Sequence, residues 1–270
     1  MIKNIVVHLT GSDQDQARLG VAESIGNRFD AHLTGLYVHI LPETSDLDPI
    51  VMAGMEPWFE QSAARADESF KKLKTRFDDL GIPHDVRRLD VSSGAAGQAM
   101  AARARVADLF VAARPEEDPA EDVNMEVSVL FGSGRACLFV PQNGRHTNGF
   151  NRVTVAWDGS REAVRAITEA MPFLEQASQV IIVSLRQDED ALSAGDLARH
   201  LRRHGISAEV RTLDTDTEGS GEALLDEVGR TGANLLVMGG CGHSKFMDWV
   251  LGGATRYVLT HADIPVLMAR

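Results

Sequence analysis

Val237-Met-Gly-Gly-Cys-Gly-His-Ser-Lys-Phe-Met-Asp-Trp-Val-Leu-Gly-Gly-Ala-Thr255 is the stretch that decides how the chain is read. The apolar run Asn234 to Met238 predicts a buried strand. It breaks at Gly239, and Gly242 follows three residues later. A second pair, Gly252 and Gly253, opens a segment of helical character from Ala254 to His261, and Ile264 to Met268 predicts a further short strand. Glycines after a strand and at the mouth of a helix let backbone N–H groups approach an anion, which the helix dipole also favours. The stretch therefore predicts a phosphate cradle between two strands.

Working outward, the chain alternates strands with helices. Ile2 to Leu9 predicts a strand, Asp13 to Arg28 a helix and His32 to His39 a strand. Leu41 to Trp58 holds three prolines and predicts a long loop. Phe59 to Leu80 is an amphipathic helix closed by Gly81 and Pro83. His84 to Val91, Ala107 to Ala113 and Ala136 to Val140 predict strands, with helices over Gly94 to Arg105 and Val123 to Arg135. Gln142 to Gly149 is polar and predicts a linker. The pattern then restarts: strands over Arg152 to Trp157, Gln179 to Leu185 and Ser207 to Leu213, with helices over Glu162 to Leu174, Asp190 to His204 and Gly221 to Thr231. Such alternation predicts parallel α/β sheets.

Three matches in order mark a duplication. Val-His-Leu-Thr-Gly-Ser (7–12) lies over Val-Ala-Trp-Asp-Gly-Ser (155–160). Leu80 to Val86 lies over His204 to Val210, and Ala107 to Val111 over Ala233 to Val237. The reading is a tandem repeat, with domains at 1–142 and 150–270.

In open α/β sheets, ligands bind beyond the carboxyl ends of the strands, where strand order reverses. Asp158-Gly-Ser160 and the glycine stretch would meet there. An Asp so placed accepts hydrogen bonds from a ribose hydroxyl or an adenine amine, and the glycines donate N–H groups to phosphates.

On these residues the C-terminal half resembles a universal stress protein domain, and the whole chain resembles tandem members of that family. The nucleotide-binding members carry an Asp after the first strand and a later Gly-x2-Gly-x9-Gly-Ser/Thr loop. Asp158 matches the Asp, and Gly239, Gly242 and Gly252 match the spaced glycines. The resemblance implies an α/β fold of two tandem domains. Each would be a five-stranded parallel sheet with helices on both faces, Rossmann-like and adenine nucleotide alpha hydrolase-like. It also implies binding of ATP or ADP, with or without Mg2+, in the C-terminal domain. Edge-strand pairing would be satisfied between the two domains, with homodimerisation as a further option. Met238, Lys245, Gly253, Ala254 and Thr255 complete the expected binding set, Lys245 as the charge donor.

Two departures stand out. Gly253 replaces the expected hydroxyl residue, with Thr255 the nearest substitute. In the N-terminal half, Thr10 replaces the Asp. Between its fourth and fifth strands the run Arg114 to Asp122 carries five carboxylates, and only Gly132 and Gly134 remain of the glycines. Like charges there repel a triphosphate, so this half is expected to bind no nucleotide.

Other features narrow the function. Net charge is -12, which opposes general nucleic-acid binding. No apolar run approaches the roughly 18 residues that cross a bilayer. The first residues run straight into a strand without the layout of a signal peptide. Cys137 and Cys241 make no disulfide framework. The expectation is a reduced, cytoplasmic protein. His200 and His204 are spaced i, i+4 but lack a companion ligand cluster, so no metal is expected. Cys137 reads as core, Cys241 as a minor modification candidate, and Phe246 and Trp249 as packing residues. Neither a P-loop nor a nucleophile elbow is present. A stress-response regulator binding an adenine nucleotide is the first reading. A nucleotide-independent interaction protein and a very weak ATPase are the alternatives.

Overall fold

A computed structural model of the chain describes residues 1–42, 54–115, 125–144, 149–185, 193–213, 219–240 and 253–270. The N-terminal half runs β1 (Asn4–Leu9), α1 (Asp15–Phe29), β2 (His32–Leu41), α2 (Glu56–Asp78), β3 (His84–Ser92), α3 (Ser93–Ala104), β4 (Leu109–Ala113), α4 (Met125–Gly132) and β5 (Ala136–Val140). The C-terminal half repeats the order with β6 (Arg152–Trp157), α5 (Arg161–Leu174), β7 (Gln179–Leu185), α6 (Ala194–Arg203), β8 (Ala208–Leu213), α7 (Ser220–Thr231), β9 (Leu235–Gly239), α8 (Gly253–His261) and β10 (Val266–Ala269).

The strands form one sheet of ten, in the order β3-β2-β1-β4-β5-β10-β9-β6-β7-β8. Within each half all neighbours are parallel. The halves join through β5 and β10, which pair antiparallel with Leu138 opposite Leu267. So the two five-stranded sheets run on as one, through the edge-strand pairing between the halves that the resemblance implied. The central strands are apolar at nearly every position, as strands covered on both faces require. Side chains alternate between two layers. Ile5, Val7 and Leu9 pack with α1, α2, α5 and α6, whereas Val6, Phe110 and Phe139 pack with α3, α4, α7 and α8.

The junction between the halves is itself a core. Phe173 of α5 meets Phe29 of α1 edge-on at 5.4 Å and Phe150 at 5.3 Å. Such aromatic pairs add about 0.5–1.5 kcal/mol beyond their buried area. Arg114 Nη1 donates to the Ala262 carbonyl oxygen across the junction at 2.7 Å.

One expected boundary moves. The loop assigned to Leu41–Trp58 is shorter: Leu41 ends β2, and α2 starts at Glu56 and takes in Pro57 and Trp58. Proline in a first helical turn removes a donor that has no helical partner anyway, so the prolines read as loop do not exclude helix there. Residues 43–53 lie outside the described set.

Candidate functional site

In the C-terminal half β6 is flanked by β7 on one side and β9 on the other. The chain leaves β6 toward β7 and later returns to β9, so strand order reverses between β6 and β9. Their register pairs Val153 with Leu235 and Val155 with Val237. Both strands therefore end side by side, Trp157-Asp158 beside Met238-Gly239. The fold places Asp158 and the first glycine of the cradle at the reversal point, where this class of sheet binds ligands.

Asp158 is exposed. Its Oδ1 accepts from Ser160 N at 2.9 Å, the local turn that Asp favours. Among the described residues Oδ2 has no partner. Gly159 takes φ +74°, a left-handed backbone that glycine adopts without strain. Ser160 caps α5, its hydroxyl accepting from Ala163 N at 3.1 Å.

Gly239 has a packing reason of its own. A Cβ there would come within 2.6 Å of Ala163 N in the first turn of α5. Gly240 is similarly pressed: a Cβ would meet Leu130 Cδ2 of the other half at 2.8 Å. Met238 is buried beneath the turn. At the start of α8, Gly253 is exposed and Ala254 half-buried. Thr255 is only 7% exposed, on the face shared with Val258 and Leu259. Its hydroxyl therefore faces the packed side of the helix and makes a poor stand-in for the hydroxyl that Gly253 lacks. Gly221 at the start of α7 abuts α8, since a Cβ there would lie 3.0 Å from the Ala254 carbonyl oxygen. In these parallel crossovers α5, α7 and α8 all begin at the end of the sheet where Asp158 lies. Gly242, Lys245 and Gly252, with Cys241, Phe246 and Trp249, lie outside the described residues.

The N-terminal half treats the same place differently. Thr10-Gly-Ser12 matches Asp158-Gly-Ser160, and Gly11 has φ +81°. Here Asp15, the first residue of α1, folds back. Its Oδ1 accepts from Thr10 N at 2.9 Å and its Oδ2 from Gly11 N at 2.7 Å. Arg18 Nη2 donates to Asp15 Oδ1 at 2.6 Å and to Thr10 Oγ1 at 3.3 Å. Arg18 is 2% exposed, and among the described residues its Nε and Nη1 make no hydrogen bond. At the matching positions the C-terminal half carries Ala163 and Ala166. Helix α2 also closes over this loop: a Cβ on Gly11 would meet Ser69 Cβ at 2.8 Å and Tyr37 at 3.1 Å. Tyr37 stacks on Phe70, and burial raises its hydroxyl pKa although its hydrogen bond with Ser69 lowers it. The internal carboxylate of Asp15 was missed in the sequence, where Asp15 and Arg18 look like an ordinary i, i+3 surface pair. Only their alanine counterparts could have flagged them.

Cys137 is wholly buried in β5, and desolvation raises its pKa, as a core thiol requires. His200 near the end of α6 and His204 just after it are both exposed, their rings 4.9 Å apart and tilted by 59°.

An open, doubly wound sheet with a polar turn and a glycine at its reversal point defines the protein as a member of the Rossmann-like class. The universal stress protein family model matches residues 149–270, and this half of the chain is similar to that family. A universal stress protein of Synechocystis sp. is 28% identical over 156 residues, covering 54% of this chain and 50% of that protein, so the match spans about half the relative's length. Two solved structures resemble the fold along the full chain. One is a universal stress protein from Archaeoglobus fulgidus (TM-score 0.72, 17% identity, 99% of this chain and 98% of the other). The second is a putative universal stress protein from Pseudomonas aeruginosa (TM-score 0.61, 13% identity, 99% and 93%). No helix among the described residues is long and apolar enough to cross a membrane.

Proposed function

We propose that the chain is a stress-response regulator of two domains, residues 1–142 and 150–270, and that the second binds one adenine nucleotide, ATP or ADP. The observation that carries this reading is the difference between the two equivalent turns. Asp158 presents a carboxylate oxygen with no described partner at the strand-order reversal. In the other half Asp15 already accepts from the Thr10 and Gly11 amides. In the C-terminal half no described side chain accepts from the Asp158 or Gly159 amides.

In this reading Asp158 Oδ2 accepts from the ribose or the base. The N–H groups of Gly253, Ala254 and Thr255 donate to phosphate, with Gly239, Gly242, Gly252 and Lys245 completing the cradle, while the Gly240 N–H is held by the Ala269 carbonyl oxygen. Magnesium, if carried, would arrive with the nucleotide. β5 and β10 pair with each other, so a homodimer formed by edge-strand pairing would use β3 or β8. Both bear charged residues, Arg87, Arg88 and Asp90 on one and Glu209 and Arg211 on the other, which discourage edge pairing.

A nucleotide-independent scaffold is the second reading, and the packing role of Gly239 favours it, because that glycine is needed whether or not a phosphate is bound. Isothermal titration with ATP, ADP and AMP on wild type and Asp158→Ala separates the two. Heat with wild type and an affinity about tenfold to a hundredfold lower in the variant is expected, since a hydrogen bond to a charged group contributes about 1.5–3 kcal/mol. Absence of heat for all three nucleotides would leave the scaffold.

A further inference from the structure

Away from the reversal point, β2, β3 and α2 bring together three side chains that no local motif connects. His39 near the end of β2 pairs in register with Asp90 near the end of β3. Its Nδ1 lies 2.8 Å from Asp90 Oδ1, and its Nε2 lies 3.1 Å from Ser62 Oγ on the second turn of α2. His39 is 11% exposed as a side chain and Asp90 42% exposed. Ser62 is half-buried, and among the described residues its hydroxyl makes no other hydrogen bond.

The electrostatics settle the direction of these bonds. Arg88, on the same face of β3, donates to Asp90 Oδ1 through Nε at 2.8 Å and contacts it through Nη2 at 2.7 Å, while also pairing with Asp67. Burial alone would raise the pKa of Asp90, but the hydrogen bonds from Arg88 and His39 outweigh it and hold the carboxyl below its ordinary range. An ionised Asp90 can only accept, so Nδ1 of a neutral His39 carries the proton and Nε2 carries the lone pair. Ser62 O–H then donates to Nε2. Arg88 Nη2 approaches Nδ1 only at 3.4 Å, too far to displace Asp90. The chain carboxylate–imidazole–hydroxyl has the order and spacing by which a base activates an oxygen nucleophile. It lies at the carboxyl ends of β2 and β3, near the outer edge of the sheet.

We propose that Ser62 is a nucleophile toward activated acyl esters, with His39 as its base and Asp90 as the residue that positions His39. Ser62 Oγ forms a bond to the ester carbonyl carbon while its proton passes to His39 Nε2. The ester C–O bond then breaks, and the alcohol leaves with that proton, giving acyl-Ser62. Water, deprotonated by the same nitrogen, releases the carboxylic acid and restores the hydroxyl. The bland counterpart is a polar clasp holding α2 to the sheet, in which Ser62 has no reactivity above that of any exposed serine.

A fluorophosphonate probe decides between them on the full chain, read by intact mass and peptide mapping. The proposal expects one stoichiometric adduct on Ser62 in the native protein and none after denaturation. Ser62→Ala should abolish it, and His39→Gln and Asp90→Asn should slow labelling by about a hundredfold or more, the scale of losses when members of such a triad are removed. Thermal melts of each variant separate the readings further. A clasp predicts a lowered melting temperature with no adduct in wild type. Absence of an adduct on Ser62, or equal labelling of Asp90→Asn and wild type, would overturn the proposal. The nucleotide titration is independent of this outcome, because Asp158 belongs to the other half.

Discussion

The turn after β1 and the turn after β6 share a sequence pattern, a left-handed glycine and a place in the sheet, yet they satisfy their backbone donors in opposite ways. The first supplies its own anion: Asp15 bonds the Thr10 and Gly11 amides and is held by a buried Arg18. The second has Ala163 and Ala166 in those places and an exposed Asp158 whose second oxygen is open. A duplicated site can thus be closed by an acid and a base on one helix face, together with the Thr10 that stands in place of the turn's Asp. The acidic run after β4 was the sequence argument against nucleotide in the N-terminal half, but residues 116–124 lie outside the described set. The Asp15–Arg18 pair supplies an independent reason for the same conclusion.

The largest expected effect tests that self-supplied anion. Asp15→Ala strands the Arg18 guanidinium in the core, and removal of one partner of a buried ion pair typically costs about 3–5 kcal/mol. Chemical denaturation should show a loss of that size. The counterpart change Asp158→Ala removes one turn hydrogen bond at an exposed position and should cost under about 1 kcal/mol. Equal losses would break the comparison. The double change Asp15→Ala with Arg18→Ala, which copies the C-terminal half, should recover part of the stability, because neither charge is then left unpaired.

A smaller effect concerns the glycine at the reversal point. Gly239→Ala places a methyl 2.6 Å from Ala163 N, where backbone has to shift. Overpacking of this kind costs about 1–3 kcal/mol. By the internal repeat Ala113 occupies the matching position in the N-terminal half, where α1 begins two residues later than α5 does by the same alignment. Ala113→Gly should therefore change stability by no more than about 1 kcal/mol, mainly through the unfolded chain. If Gly239→Ala melts like wild type, the packing reason for Gly239 is wrong, and the case for a phosphate role becomes stronger.

These contrasts also show which parts of the molecule the chain discloses before it folds. Strand positions are legible because a central parallel strand must be apolar on both faces, and Leu235 to Met238 and Ala136 to Val140 have no other way to be satisfied. The duplication is legible because turns such as Gly11 and Gly159 tolerate few residues. The continuity of the ten strands is less so: nothing in Leu138 or Leu267 says that they face each other, since any two apolar edges could pair. Asp15 and Arg18 carry the cues of a solvated helix face, and only folding shows that both are buried. His39, Ser62 and Asp90 are separated by more than twenty residues each and share no periodicity. Their meeting depends on the β2–β3 register and on where α2 lies, which are tertiary facts.

The smallest expected effect is a difference in acid sensitivity between the two outer edges. On β3, hydrogen bonds from Arg88 and His39 lower the Asp90 pKa despite burial, and those from Thr34 and Arg87 do the same for Asp85. A carboxyl with a folded pKa below its unfolded value contributes stability above the unfolded value, near 3.9, and loses it as pH falls through the folded value. Both groups are partly exposed, so solvent weakens the contribution. Wild type should exceed Asp90→Asn modestly in unfolding midpoint at pH 6, and the gap should begin to narrow below about pH 4 and shrink further as pH falls. On β8 the repeat sets Glu209 and Arg211 in the places of Asp85 and Arg87, at an exposed edge. Glu209→Gln should leave the midpoint nearly unchanged over this range. A gap for Asp90→Asn that stays constant down to pH 3 would mean that the carboxylate is not held by Arg88 and His39 in solution. That would weaken both the contrast between the edges and the tautomer on which the activation of Ser62 depends.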